Sequence, residues 1–533
     1  MSELKRRVPI SALIMLTILV VGLNFGAASP ANWPMYRNNP LRTGVTTDVI
    51  IPPLDLKWRQ TFAGAVISSP AIFGSRLYVG STDNNLYAID AATGNIIWAF
   101  TEALPVPVGP WLSSPTVATV GGQTVIFAGN DNFNLYAIRD DGATWTKLWD
   151  TTLLVPAPAG PVRSSPVVTT IGTDQVVIFG VWSLPGQVYA LMAATGALYP
   201  GWVAGGGDPF TDAAAAGPFV SSPAILGSTL FIGSDAAPGA EGMLYAINLG
   251  NGVKFWDTFT LGIFPAIGVG NDVRSSPAIA NVAGQNLVFF GADNDRLYAL
   301  VAASGAVVWS QPVGADIRSS PAVASIPNPP VACVPPPGPT LAVIFGSDDG
   351  NTYSMRAADG VPCWTFPSTG LLPFRSSPTV SGQTVYIGSL DQNLYAIDIN
   401  TGSWLWSFPA TAPIGDIAGL VAPNPAISGS TLYFGSNAPD NRLYAFEPVP
   451  PVTTTETETV TETETETVTE TQTETTTLST ATITTTESQT VTICPSGGPI
   501  PGFPVESMLI GLVGGLVALT LIRRRRRASP LRD

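Results

Sequence analysis

Residues 375–409 read RSSPTVSGQTVYIGSLDQNLYAIDINTGSWLWSFP, and the fold follows from this stretch. It holds four short runs rich in β-formers, 379–380, 384–388, 393–398 and 404–408, each bounded by Gly, Ser, Asp or Asn where a turn is needed. In the third run Leu394 and Ala396 fall on one face and Tyr395 and Ile397 on the other, the two-residue period of a strand. No helical period appears, so the unit is a four-stranded meander.

The same order of signals recurs along the chain. Ser-Ser-Pro triplets begin at Ser68, Ser113, Ser164, Ser221, Ser275, Ser319 and Ser376, and a degenerate eighth copy reads Pro423-Asn424-Pro425. A Tyr-bearing third strand occurs eight times, from Tyr87 to Tyr444, and a Trp strand follows the first seven, at Trp98, Trp149, Trp202, Trp256, Trp309, Trp364 and Trp406. Self-similarity at this period marks a repeat architecture. No Trp strand follows Tyr444, whereas an orphan one around Trp58 stands ahead of the first triplet. Circular closure accounts for both facts: the N-terminal strand completes the last blade. The expectation is an all-β, eight-bladed β-propeller of four-stranded antiparallel blades over 56–448, led into by 29–55. Proline in each first strand removes a ladder donor and suits the channel-facing edge, and the Trp residues suit packing between blades.

The two ends are of a different kind. Lys5, Arg6 and Arg7 precede an apolar run and small residues Gly26, Ala27 and Ala28, which reads as a secretory signal peptide over 1–28, either cleaved near Ala28 or kept as an anchor. Segment 449–500 alternates Thr with Glu, has too little apolar surface to offset its ordering entropy, and is expected to be a disordered stalk suited to O-glycosylation. Residues 501–522 read as a transmembrane helix, and the five arginines of the tail 523–533 favour a cytoplasmic C-terminus. Localisation at the cell membrane, single-pass and with the propeller extracellular, follows. The ring carries 15 Lys and Arg against 27 Asp and Glu over 30–452, which disfavours nucleic acid as a partner.

The stretch Asn32-Trp33-Pro34-Met35-Tyr36-Arg37, the LYAID strands at 86–90 and 394–398, and turns such as Ala92-Thr93-Gly94 before Trp98 resemble pyrroloquinoline-quinone (PQQ)-type β-propeller repeats. That resemblance implies the ring. For activity it spans quinone-dependent dehydrogenases, an outer-membrane assembly scaffold and surface proteins without chemistry. The tail, with Pro501-Gly502-Phe503, an apolar run and an Arg cluster, resembles archaeal PGF-type sorting signals, which are cut and replaced by lipid; a retained helix is the other reading.

The sequence has no histidine, which removes histidine triads and histidine metal sites. The dehydrogenases of the resembled family carry adjacent cysteines near the quinone, and no Cys-Cys occurs here, so no catalytic residue is assigned and PQQ with calcium belongs only to the alternative reading. Arg163, Arg274, Arg318 and Arg375 each precede a triplet and converge, in a ring, on one mouth of the channel, with Asp272, Asp316 and Asp416 nearby. They read either as an anion-holding site or as an Arg/Asp network that neutralises itself. Asp83, Asp131, Asp293, Asp295, Asp348, Asp349 and Asp391 sit in turns between second and third strands and read as turn residues rather than calcium ligands. Cys333 and Cys363 lie in connections emerging on one face, which allows a disulfide or two free thiols; Cys494 is unassigned.

The function expected is therefore a membrane-anchored extracytoplasmic scaffold for a protein, peptide or surface polymer. A PQQ-dependent oxidoreductase and a surface-layer component are the alternatives.

Overall fold

The structure, a computed structural model, describes residues 32–102, 109–206, 209–212, 217–237, 241–258, 261–262, 272–333, 340–409 and 423–450, and the backbone of 452–462 and 483–493. Residues 1–28, expected to be a signal peptide, the region 501–533, Cys494 and Asp416 lie outside the described residues. Eight antiparallel sheets follow one another around a ring. Blade 8 is closed as the orphan Trp strand requires: Leu54–Thr61 pairs with Arg442–Pro448, placing Trp58 opposite Ala445 and Arg59 opposite Tyr444.

The triplets explain the ring's inner wall. The second Ser of each triplet donates its backbone N–H to the side chain of its counterpart in the next blade: Ser69 to Ser114, then Ser165, Ser222, Ser276, Ser320 and Ser377. Ser377 donates to Asn424 Oδ1 at 2.6 Å, and Asn424 donates to Ser69 Oγ at 2.9 Å, so eight hydrogen bonds form one closed circuit. A short side chain with an acceptor oxygen is needed at every station, and Asn meets that need in the degenerate copy.

The Trp strands explain the outer joints. The indole N–H of Trp58, Trp149, Trp202, Trp256, Trp309 and Trp364 donates to a backbone carbonyl of the following blade at 2.8–3.3 Å. For Trp58, Trp149, Trp256, Trp309 and Trp364 a turn glycine of that blade lies against the ring; at Gly402 a Cβ would stand 2.8 Å from Trp364, and the backbone there has φ +73°, so a side chain is excluded twice.

Three features depart from the expected pattern. Blade 3 has only three strands, and its Trp202 sits in a short helix, Pro200–Gly205, rather than in a fourth strand. Proline at the first helical position directs the chain that way, yet Trp202 is fully buried and still reaches Leu249 O at 2.8 Å. Within the stretch expected to be a disordered stalk, Val452–Glu462 and Ile483–Ile493 pair as a two-stranded antiparallel ladder, in keeping with the strand preference of β-branched Thr. Among the described residues no helix is long and apolar enough to cross a membrane.

The third departure is the lead-in segment, which does more than precede the ring. Carbonyls of Trp33, Pro34, Pro40, Leu41, Thr43 and Gly44 accept N–H groups of Ile72, Val117, Ile225, Ile279, Val323 and Val380. Each of those donors lies two residues beyond a triplet proline, so the segment plugs the channel from the inside, and Val45–Thr46 then adds a parallel strand to blade 7. Above it, Arg42 and Arg37 are 0% and 1% exposed. Arg42 donates to the carbonyls of Tyr36, Ser165, Pro166 and Pro223, and Arg37 to those of Pro321 and Pro378. Inward-facing proline carbonyls without neighbouring N–H groups make the axis rich in acceptors, and guanidinium supplies donors in a planar fan. Burial lowers Arg37 to about 10 and Arg42 to about 9, since carbonyl dipoles replace only part of the lost hydration.

Candidate functional site

Strand connections alternate between two faces. The turns between second and third strands and the long links between blades share one face, the mouth; the remaining hairpins form the base, where the plug enters. The four arginines singled out in the sequence all lie at the mouth, and each reaches one particular turn. Arg163 pairs with Asp131, Arg274 with Asp235, Arg318 with Asp293 and Arg375 with Asp348, at 2.7–3.4 Å. In every case the arginine before a triplet takes the Asp two residues after the strand-ending Gly of the preceding blade.

This pairing was written in the repeats. Where the residue before a triplet is Ile67, Leu112, Val220 or Ala422 instead of Arg, the corresponding turn position is Asn437, Thr82, Trp182 or Leu390 instead of Asp. Arg and Asp thus appear together at four blade junctions and are both missing at four. Reading the aspartates as turn formers alone overlooked this. The description holds for Asp83, Asp349 and Asp391, whose carboxylates accept from backbone N–H groups of their own turns and from a Tyr hydroxyl four residues on.

Three of the arginines merge into one network. Asp293 is shared between Arg274 at 3.1 Å and Arg318 at 3.2 Å, and Asp348 lies between Arg375 at 2.9 Å and Arg318 at 3.5 Å. Asp272 adds a contact of 2.5 Å to Arg274 and Asp316 one of 2.8 Å to Arg318. Three guanidiniums therefore face five carboxylates. Arg163 stands apart, bidentate to Asp131 and stacked 4.0 Å over the Trp182 ring. Burial pushes Asp293 up to about 7 against the pull of Arg318 and Arg274, with Asp316 repelling; burial likewise pushes Asp235 up to about 6. Burial also raises Asp316, helped by Asp348 and Asp295. The mouth is a saturated, net-acidic network.

On the base face Cys333 and Cys363 are joined as a disulfide with Cα atoms 4.7 Å apart, pinning the proline-rich insertion of blade 6 to its fourth strand.

A family model described as outer membrane protein assembly factor BamB matches residues 55–258, 240–326 and 330–494. The chain belongs to this PQQ-like propeller family. A polyvinylalcohol dehydrogenase of Sphingopyxis sp. (strain 113P3) is 28% identical over 192 residues, which is 33% of this chain and 28% of the relative, so the chain spans little more than a quarter of that protein. Among solved structures, a europium-containing methanol dehydrogenase superposes with a TM-score of 0.58 at 16% identity, covering 78% of this chain and 98% of that one. BamB from Moraxella catarrhalis superposes with a TM-score of 0.51 at 14% identity, covering 74% and 99%. At these identities the likeness is one of fold.

The quinone that gives the repeats their name is a tricarboxylate held with a metal ion. The described residues of this mouth do not fit it: every arginine is engaged by carboxylate, acid exceeds base, and no three His, Cys, Asp or Glu side chains among the described residues come together as metal donors. An added trianion would meet a network in which acidic side chains already outnumber guanidiniums five to three.

Proposed function

We propose that the chain is a non-catalytic extracytoplasmic interaction module, held at the membrane through 501–522, whose mouth receives a polypeptide segment bearing basic and apolar side chains. The observation that carries this reading is the mouth's composition, a carboxylate surplus beside an apolar rim. Phe133, Leu153, Val155, Trp182 and Leu184 stand exposed on the mouth-face connections of blades 2 and 3, Leu153 at 93% and Val155 at 86%. The 153–161 link is fastened to the 182–187 turn: Trp182 N–H donates to Pro161 O at 2.8 Å and Ala159 N–H to Gln187 Oε1 at 3.1 Å. Large apolar side chains gathered on a surface favour contact with a partner, and surplus carboxylates select a cationic one.

Two further features support it. The family's description as an assembly factor points towards protein contacts. The described ring also begins and ends on the base face: Asn32 Oδ1 accepts from Gly74 N–H at 2.8 Å, and Val449 N–H donates to Pro53 O at 3.1 Å.

The test is photo-cross-linking in intact cells from a photoreactive residue at position 133. Discrete protein adducts, weakened several-fold by Leu184→Asp, are expected; adducts that are absent, or indifferent to that substitution, would remove the proposal. A second reading, a quinone-dependent dehydrogenase, has the partial match to polyvinylalcohol dehydrogenase as its support. Sustained alcohol-dependent dye reduction after adding the quinone and calcium would put it in place of the first.

A further inference from the structure

On the base face the first hairpin of each blade is either short or long. Blades 1 and 4 turn after three-residue strands, Ala71–Phe73 and Ala224–Leu226, whereas blades 2 and 5 continue two residues further, in Thr116–Val120 and Ala278–Val282. At about 3.3 Å per residue the longer hairpin overhangs its predecessor by roughly 7 Å. A cleft opens at both steps, about 310 Å³ between blades 1 and 2 and about 430 Å³ between blades 4 and 5.

The clefts occupy equivalent places in the repeat and differ in chemistry. In the smaller, Arg76 of blade 1 pairs with Asp140 of blade 2 across the step, and Tyr78 donates to the same carboxylate at 2.5 Å. In the larger, the equivalent positions are Thr229, Ala302 and Phe231, and no charged side chain lines the space. It is lined instead by hydroxyl and amide groups, those of Ser228, Thr229, Gln285 and Asn286. Among the described residues no hydrogen bond engages the side-chain polar atoms of Ser228, Thr229 or Gln285; Asn286 commits only its Oδ1, which accepts from Asn281 at 2.9 Å.

We propose that the cleft between blades 4 and 5 binds an uncharged, polyhydroxylated ligand, a saccharide unit. Hydroxyls that both donate and accept, beside amides that offer one of each, match sugar hydroxyls group for group, and nothing in the lining selects an ion. Leu226 and Val301 supply an apolar wall for the sugar's C–H face, and the volume lies within the range of small-ligand sites. The cleft between blades 1 and 2 is an internal control, because there the charged groups of the lining are committed to an ion pair of the chain's own.

The experiment is titration of the full-length protein with mannotriose and maltotriose, followed by saturation-transfer NMR and calorimetry. At least one should bind, and Gln285→Ala, which removes one amide with its two hydrogen-bonding ends, should weaken it roughly tenfold. Ser75→Ala in the other cleft should leave affinity unchanged. Thr229→Arg combined with Ala302→Asp, which rebuilds the ion pair of the smaller cleft, should abolish binding while the thermal midpoint shows the ring still folded. No saturation transfer from either sugar at about 10 mM, or binding that Gln285→Ala leaves intact, would overturn the proposal.

Discussion

At Asn424 a single side chain decides whether the inner circuit of hydrogen bonds is complete. Its Oδ1 takes the buried Ser377 N–H at 2.6 Å, and Asn424→Ala would leave that donor unpaired, a loss of about 1–3 kcal/mol. Asn424→Ser, which places at this station the second Ser that the other seven blades carry, should stay near wild type when both variants are unfolded in urea. The carboxylates at the mouth make a second residue-scale prediction. Asp293 at about 7 and Asp235 at about 6 hold protons in the folded ring that the unfolded chain has already released. Their contribution to stability is therefore complete below about pH 4 and is lost as pH rises through 6 and 7. Thermal midpoints should fall between pH 5 and pH 7.5, and Asp293→Asn should flatten that slope; a midpoint that rises across this window would contradict the assignment.

At the scale of elements, what was legible in the sequence is what each blade repeats for its own backbone. Ser-Ser-Pro, the Gly-ended strand and the Trp strand recur because every blade must bond to the next, so their positions gave eight blades and the closing strand. Blade 3 could not be read the same way, since Pro200 redirects the chain while Trp202 keeps its partner in blade 4 through a helix. The latches between Arg and Asp needed two repeats to be compared at once, and the clefts on the base depend on a two-residue difference between neighbouring hairpins. The Trp joints also predict unequal costs. Trp202 is fully buried and bonded to Leu249 O, so Trp202→Ala should cost about 3–5 kcal/mol. Trp406 is half-buried and faces blade 8, whose outer strand comes from the N-terminus and leaves no third-to-fourth-strand turn to receive the indole. Trp406→Ala should cost clearly less, and equal losses in the two denaturation curves would discount the indole bond as the source of the difference.

For the whole molecule, one N-terminal stretch both fills the axis and completes the ring. Residues 33–44 give their carbonyls to six inner strands, and Leu54–Thr61 supplies the outer strand of blade 8. Sequence reading saw the strand, which has its repeat signature, and took 29–55 for a lead-in, because Arg37 and Arg42 find their acceptors only after five blades have been laid side by side. The two roles separate on deletion. Without residues 1–46 the inner N–H groups of Ile72, Val117, Ile225, Ile279, Val323 and Val380 would face a hydrated channel, where water replaces the lost acceptors. The ring should then remain closed by its eighth blade, and those six amides should exchange with deuterium faster by orders of magnitude while third-strand amides stay protected. Deletion through Thr61 removes the closing strand as well, exposes the edge of Arg442–Pro448 and leaves blades 8 and 1 without the Trp58 joint. That chain should lose protection throughout, and a separate peptide of residues 32–61 should restore it. Unchanged exchange of the six inner amides after the shorter deletion would mean that the channel is not sealed by this segment.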